Sequence, residues 1–387
     1  MEATFSASPG PLASVTVLEF AGIGPAPYAG MMLADLGARV IRIDRHDAQP
    51  LDPGHRVLGR GRRSIALQLK SPAALDIVHR LLERSDALIE GFRPGVMERL
   101  GLGPEQCLAR QPRLVYGRVT GWGQQGPLAQ AAGHDLNYVA LTGLLNAIGT
   151  RNSGPVAPLN LLGDFAGGGM LLAFGVLAGI IEARGTGRGQ VVDAAMVDGA
   201  SLLGSLIWGM RSGGWWPGGR GENLLDGGAH FYGVFECADG QWITLASIEP
   251  PFHVAMLKAL ELDPALAAVQ MDARQWPALR EQVAAAVRRR TRAEWCERLE
   301  GSDVCFAPVL DFDEARQHPH NVARGAFIEQ DGLLHPAPAP RFSRTPASAA
   351  SPAGRPGADG ATVLRELGLT DSQIGELAGS GAVRLSD

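Results

Sequence analysis

With 387 residues, 45% of them hydrophobic and 19% charged, the chain is long enough for two domains and apolar enough to bury a sizeable core. Its net charge of −5 excludes a globally basic binder of nucleic acid or of an anionic membrane. Four cysteines (Cys107, Cys237, Cys296 and Cys305) show neither a CxxC spacing nor a disulfide-dense pattern, so free thiols in a reducing cytoplasm are expected.

The first residues, MEATFSASPGPLAS, lack a basic start followed by an apolar run, and no secretory leader is expected. Short β-branched runs at 14–20, 39–44, 63–69, 86–92 and 113–119 read as strands. Between the first two, PYAGMMLADLG reads as an amphipathic helix closed by Gly37. Near-continuous apolar strands joined by helices predict an α/β fold of Rossmann-like type, a parallel sheet covered on both faces. The apolar run 170–181 is too short to span a bilayer and reads as a core helix. GQVVDAAMVDGASLLGSLIWGMR then adds one more strand and a helix.

A glycine-rich change of composition marks 212–228 as a linker, which gives a large α/β domain at 1–211. Residues 229–330 predict a smaller α+β domain, with a hairpin turning at Asp239-Gly240, three helical patterns and the strand-like VCFAPVL. Residues 331–387 predict a strap rich in Pro, Ala and Ser that returns to the large domain, then two short helices, the second capped at Thr370-Asp371. The final RLSD is not a peroxisomal address.

Several residues invite a chemical role, and each also has a plain structural one. The first strand–helix turn, EFAGIGPAPYAG, has Gly22 and Gly24 but lacks the third glycine of a dinucleotide fingerprint, so a nicotinamide cofactor is not expected. Asp44, flanked by Arg42 and Arg45, suits a phosphorylated ribose better than a free one. Arg45, Arg60, Arg62, Arg63, Arg93 and Arg99 recur near the presumed carboxyl ends of strands. They read either as a solvated face or as a grip on a phosphate-bearing ligand. His134 and Asp135 open an apolar helix, where a lone histidine is ordinarily structural and an acid simply suits the helix dipole. Asp164 is equally suited to capping. Three consecutive glycines at 167–169 disfavour a helix, so a close backbone approach is expected there. Glu249 ends an apolar strand before two prolines, a charge that packing does not explain.

Taken in chain order, GIGPAPYAGMMLADLGARVIRIDR, GFRPGVMERLGLG, TGWGQQGPLAQAAGHDLNY, PLNLLGDFAGGGM, GQVVDAAMVDG, LLDGGAHFY and SDVCFAPVLDFDEA resemble the motifs of the family III CoA-transferases. The combination of GHD, LNL…GDF and IEP resembles the α-methylacyl-CoA racemase branch of that family. The resemblance implies an interlocked homodimer of a large CoA-binding domain and a small α+β domain, with sites shared between subunits. It makes His134 and Asp164 the two acid/base residues and Glu249, from the partner chain, the group that hydrogen-bonds the histidine. Asn160, Tyr232, Asp135 and Arg60 support them. CoA would be held by Ile23, Arg45, Leu67, Gln68, Leu69, Lys70, Gly91, Phe92, Arg93, Arg99, Gly133, Leu136, Asn137 and Tyr138. Met196 and Met210 remain of a methionine-rich acyl surface, with Leu224 and Leu225 where methionine is expected. No metal or redox cofactor is implied, since CoA is part of the substrate.

The residue types suit that chemistry. Racemising a carbon beside a thioester removes a proton from one face and returns one to the other, which wants two groups of comparable proton affinity. Histidine side chains titrate near neutrality, and burial raises an aspartate towards the same range. Backbone N–H groups at 164–169 would stabilise the enolate oxygen and account for the glycines. Two other readings stand beside this one. Asp164 is the nucleophile of a CoA-transferase, through an aspartyl-CoA intermediate, or the chain binds acyl-CoA without chemistry. Branched fatty acyl, sterol side-chain and 2-arylpropionyl groups all remain open as the acyl part.

Overall fold

A computed structural model describes residues 10–347 and 351–385. Most of the amino-terminal stretch on which the leader reading rests, and Ser386 and Asp387 of the RLSD end, lie outside the described residues.

Six strands pair in parallel: β1 (Thr16–Phe20), β2 (Arg39–Arg45), β3 (Arg62–Leu67), β4 (Ala87–Glu90), β5 (Val115–Thr120) and β6 (Gln190–Ala195). Alternating side chains go to opposite faces, and both faces are apolar. Val17, Val40, Ile89 and Val115 belong to one core, while Leu18, Ile41, Ile65 and Leu88 belong to the other. The first core packs on α1 (Pro25–Asp35) and on the helix Leu171–Thr186, through Ala26, Leu33, Leu172, Val176 and Ile180. The second packs on α3 (Pro72–Leu82) and on the helix Gly360–Glu366. Prolines open α1, α2 (Pro53–Leu58), α3 and α5 (Pro104–Arg110), where a missing N–H leaves no bond unmade; α4 (Val96–Arg99) starts after Gly95 instead. Gly37, at φ 96°, turns the chain from α1 into β2.

The sheet order is β3-β2-β1-β4-β5-β6, extended beyond β3 by Val383–Arg384, which pairs antiparallel with it. Chain direction across the sheet reverses between β1 and β4. Loops leaving the carboxyl ends of those two strands diverge there, and open parallel sheets bind ligands at such a point.

The run read from sequence as a short core helix is part of a longer helical segment. A π-helix, Leu161–Met170, continues directly into Leu171–Thr186. By length and composition this segment is long and apolar enough to cross a membrane. Its buried side chains pack on β5 and β6, while Phe174 and Ile181 stay exposed. After β6 the expected single helix is two, Met196–Leu203 and Ser205–Ser212, broken at Gly204.

The chain divides into two compact units. The first draws on Met1–Thr142, Leu159–Leu203 and Arg324–Asp387, and the second on Gly143–Pro158 and Gly204–Ala323. The expected large domain at 1–211 thus cedes two segments to the second unit, and the glycine-rich 212–228 lies inside that unit instead of between domains. The break falls at Gly204 because that glycine ends one helix and precedes the next.

In the second unit Tyr232–Glu236 and Trp242–Ala246 form the expected hairpin, with Gly240 at φ 75°, and Phe306–Pro308 adds a third antiparallel strand. One face carries Phe235, Ile243 and Leu245 into a core with Met256, Leu257 and Trp295. Inside that core His230 and His253 meet Nε2 to Nε2 at 2.9 Å, and neither Nδ1 has a partner. Burial lowers the His230 pKa from 6.5 to about 4, with His253 adding to the effect. The folded state therefore holds His230 neutral, and the unfolded chain binds more protons below pH 6.5. Stability is full above that pH and falls as pH drops towards 4. Between pH 7 and 5 this residue is expected to cost about 2 kcal/mol. Urea titrations at the two pH values should show it, and a His230→Gln variant should lose correspondingly less.

Candidate active site

Four chain segments converge beyond the carboxyl ends of β1, β4 and β5. The first is the β1–α1 loop, where Gly24 takes φ 70° and passes so close to Asp164 that a Cβ on it would lie 3.4 Å from Asp164 Oδ2. The second follows β4 as Gly91, Phe92 and Arg93. It is pinned by Glu90, which accepts the Phe92 N–H (2.7 Å) and Arg118 Nε (2.7 Å). The third leaves β5 through Gly121 and Trp122 and returns at Gly133 to α6 (Asp135–Leu141). Tyr138 fixes that return: its hydroxyl donates to the Gly133 carbonyl, and its ring fills a slot where a Cβ on Gly121 would sit 2.0 Å from Cε1. The fourth is the π-helix carrying Asp164.

These segments enclose a cleft of ≈ 940 Å³, and every residue lining it belongs to the first unit. Its lining includes Ile23, Gly91, Phe92, Arg93, Gly133, His134, Asn137, Tyr138, Asn160, Asp164 and Met196. His134 caps α6 in extended conformation, and its backbone N–H donates to Asn137 Oδ1 at 3.0 Å. A histidine and a carboxyl, held by two different helices, thus share one cleft. Burial pushes the Asp164 carboxyl above the usual carboxylate range. Asn160 Nδ2, which donates to Oδ2 at 3.3 Å, and the His134 charge oppose that rise, while the Asp135 charge adds to it.

Other expected site residues lie elsewhere. Arg45, at the end of β2, is exposed and paired with Asp47 through two bonds of 2.9 and 2.8 Å. Leu67 is buried at the end of β3, and Gln68, Leu69 and Lys70 form the turn beyond it. Arg99 ends α4 and is exposed, as is Leu136 on α6. Asp135 is buried behind the cleft wall. Tyr232 and Glu249 belong to the second unit, Tyr232 opening a strand and Glu249 exposed as the N-cap of the helix Pro250–Ala259.

Four expectations are corrected. Arg60 does not line the cleft; it is buried, holding both oxygens of Asp35 at 2.9 and 2.6 Å and His335 Nδ1 at 3.0 Å. Arg62 and Arg63 open β3 at its amino end, where they pair with Glu19 and Glu366. Asp44 is buried against Arg42 (2.9 Å) and Ser64 (2.5 Å) and cannot read a ribose. The close backbone approach expected at the glycines 167–169 is present, since added Cβ atoms would meet the Ala200 nitrogen at 2.6 Å, Met196 at 2.8 Å and Tyr28 at 2.7 Å, but it serves packing and not an enolate. The Asp164 N–H, expected to face an enolate oxygen, is taken by Asp135 Oδ2 at 2.7 Å.

The sequence reading missed Asp52 and His55, which line the cleft from α2. Asp52 caps that helix and also meets His55 Nδ1 at 2.8 Å. The Asp-Pro pair signals a helix start, but nothing in the sequence ties that helix to the cleft. Among the described residues, no cluster of three or more His, Cys, Asp or Glu could hold a metal ion.

The parallel sheet order and the cleft at its reversal point suit the class that the family match shows: the chain belongs to CoA-transferase family III, which matches residues 12–360. Within it, the chain is 43% identical over 368 residues to the alpha-methylacyl-CoA racemase of Mus musculus, covering 95% of this chain and 96% of that protein. It is 45% identical over 343 residues to the Homo sapiens alpha-methylacyl-CoA racemase, covering 87% of each. Among solved structures, a hypothetical protein from Mycobacterium tuberculosis matches at TM-score 0.77 and 25% identity, over 92% of this chain and 99% of that one.

Proposed function

We propose that this chain interconverts the (R)- and (S)-epimers of 2-methylacyl-CoA thioesters by moving the α-proton through an enolate. The reading is carried by His134 and Asp164, two proton-carrying groups of different kind that line one cleft. The racemases it matches over most of its length support it. One group, in its basic form, takes the α-proton while the other, in its acidic form, supplies one to the opposite face. An Asp164 raised by burial is able to play either part nearer neutral pH than an ordinary carboxylate. The resemblance supplies the remaining roles. Arg45, Lys70, Arg93 and Arg99 hold CoA phosphates, and Glu249 of a second copy orients His134. An exposed Glu249 at a helix start fits that duty. The apolar side chains of Phe174, Ile181 and Leu202 on the first unit, and of Leu206, Trp208 and Trp215 on the second, offer surface for a homodimer to cover. The proton chemistry itself calls for no metal or redox group, and four free cysteines suit the cytoplasm.

The test is a single-epimer 2-methylacyl-CoA incubated in D2O with no acceptor acid. Deuterium entering the α-carbon as chirality is lost is the expected result. If nothing exchanges until a free carboxylic acid is added, and CoA then moves to that acid, the chain is a transferase acting through Asp164.

A further inference from the structure

Asp135 immediately follows His134, yet its side chain serves a different helix. Asp135 Oδ2 accepts the N–H groups of Gly163 (2.6 Å) and Asp164 (2.7 Å), 28 and 29 residues further on. An ordinary helix cap serves its own first turn; this one serves the start of the π-helix that carries Asp164. The residue is 4% exposed, and its Oδ1 is buried with no hydrogen-bond partner. Leaving a carboxylate oxygen unpaired is unfavourable, and a local cap would avoid it. The approach is also close. A Cβ on Gly163 would lie 2.8 Å from Asp135 Oδ2 and 3.1 Å from its Cα, so only glycine fits beside the bracket.

We propose that Asp135 is a positioning residue that holds the two proton-carrying side chains in register across the substrate's α-carbon. One residue is covalently next to His134 and hydrogen-bonded to the backbone of Asp164, so it couples the two helices at the level of the reacting atoms. Charge is not what the bracket requires. An asparagine keeps an acceptor oxygen in the same place, whereas an alanine leaves both N–H groups free and lets the π-helix start shift. This inference rests on the two-base reading above, and it makes a demand that a purely structural brace does not. Loosening the register should harm delivery to the far face more than removal from the near one.

The experiment follows deuterium incorporation and inversion side by side in wild type, Asp135→Asn, Asp135→Ala and Gly163→Ala, with KM and kcat separated. Asp135→Asn is expected to keep inversion within about fivefold of wild type. Asp135→Ala is expected to lose inversion at least about thirtyfold in kcat, with KM within about threefold. Its ratio of inversion to exchange should fall. Gly163→Ala, which pushes on the bracket from the other side, is expected to lower the same ratio should the alanine variant fail to fold. An unchanged ratio in every variant that folds overturns the inference. Absence of exchange in the wild type overturns the two-base reading, and the inference falls with it.

Discussion

Replacing Asp164 by asparagine is expected to reduce inversion by about 10²–10⁴-fold while changing KM little. The amide matches the carboxyl in size and keeps its contact with Asn160, but it acts neither as an acid nor as a base at working pH. His134 is left in place, so the α-proton of one epimer should still wash out into D2O without inversion. His134→Ala should show the mirror pattern, with exchange surviving only in the other epimer. The same Asp164→Asn variant is expected to melt at a higher temperature than wild type at pH 7. Burial raises the Asp164 carboxyl above its unfolded value, so its favourable contribution to the fold is present at acid pH and is lost as pH rises through the raised value. At pH 7 the ionised form opposes folding, and the neutral amide removes that opposition. Thermal melts and D2O exchange on one protein preparation check both halves. Retained inversion would remove Asp164 from the chemistry.

A large effect on stability is expected at Gly199. The helix Met196–Leu203 crosses the π-helix with backbone against backbone: a Cβ on Gly199 would lie 1.8 Å from the Gly167 carbonyl oxygen and 2.7 Å from its Cα. No rotamer change relieves such a contact, so the crossing must open. Gly199→Ala is expected to destabilise the protein by about 3 kcal/mol or more. Gly185, in a helix with open space around it, serves as control, and Gly185→Ala should be neutral or stabilising by about 0.5–1 kcal/mol. Urea midpoints of the two variants separate overpacking from a general intolerance of the added methyl. Since Gly167 and Asp164 share one π-helix, Gly199→Ala molecules that still fold should also turn over more slowly.

Much of the sheet was legible because a strand buried on both faces must be apolar at nearly every position. Val17, Leu18, Val40, Ile41 and their neighbours say so without help from any other part of the chain. Gly37 and Thr370 were legible for a related reason, since a left-handed turn and a helix cap each demand a narrow set of residues. The π-helix was not legible. Its apolar pattern differs too little from that of an α-helix, and what selects it lies in Gly199, Met196 and Tyr28, far along the chain. Nor was the division of units, because the segment 143–158 leaves and re-enters the first unit without a change of composition. At the site, spacing alone left His134 and Asp164 as ordinary helix-start residues; only the ordered motifs joined them. Arg60 shows the converse error. An arginine near a strand suggests a ligand, but its partner Asp35 is hidden on a helix whose facing side no pattern reveals.

Val383–Arg384 closes the sheet against β3, and this sets a timetable for synthesis. The outer edge of β3 gains its partners only when the ribosome has reached Asp359, which takes both backbone groups of Ser64, and then Val383–Arg384, which pair with Leu67 and Ala66, on the order of tens of seconds after β3 itself emerges. For that interval the nascent chain carries an open, apolar strand edge of the kind that templates aggregation. A message truncated before the strap should therefore yield mainly insoluble chain, although every residue of the cleft has already been made.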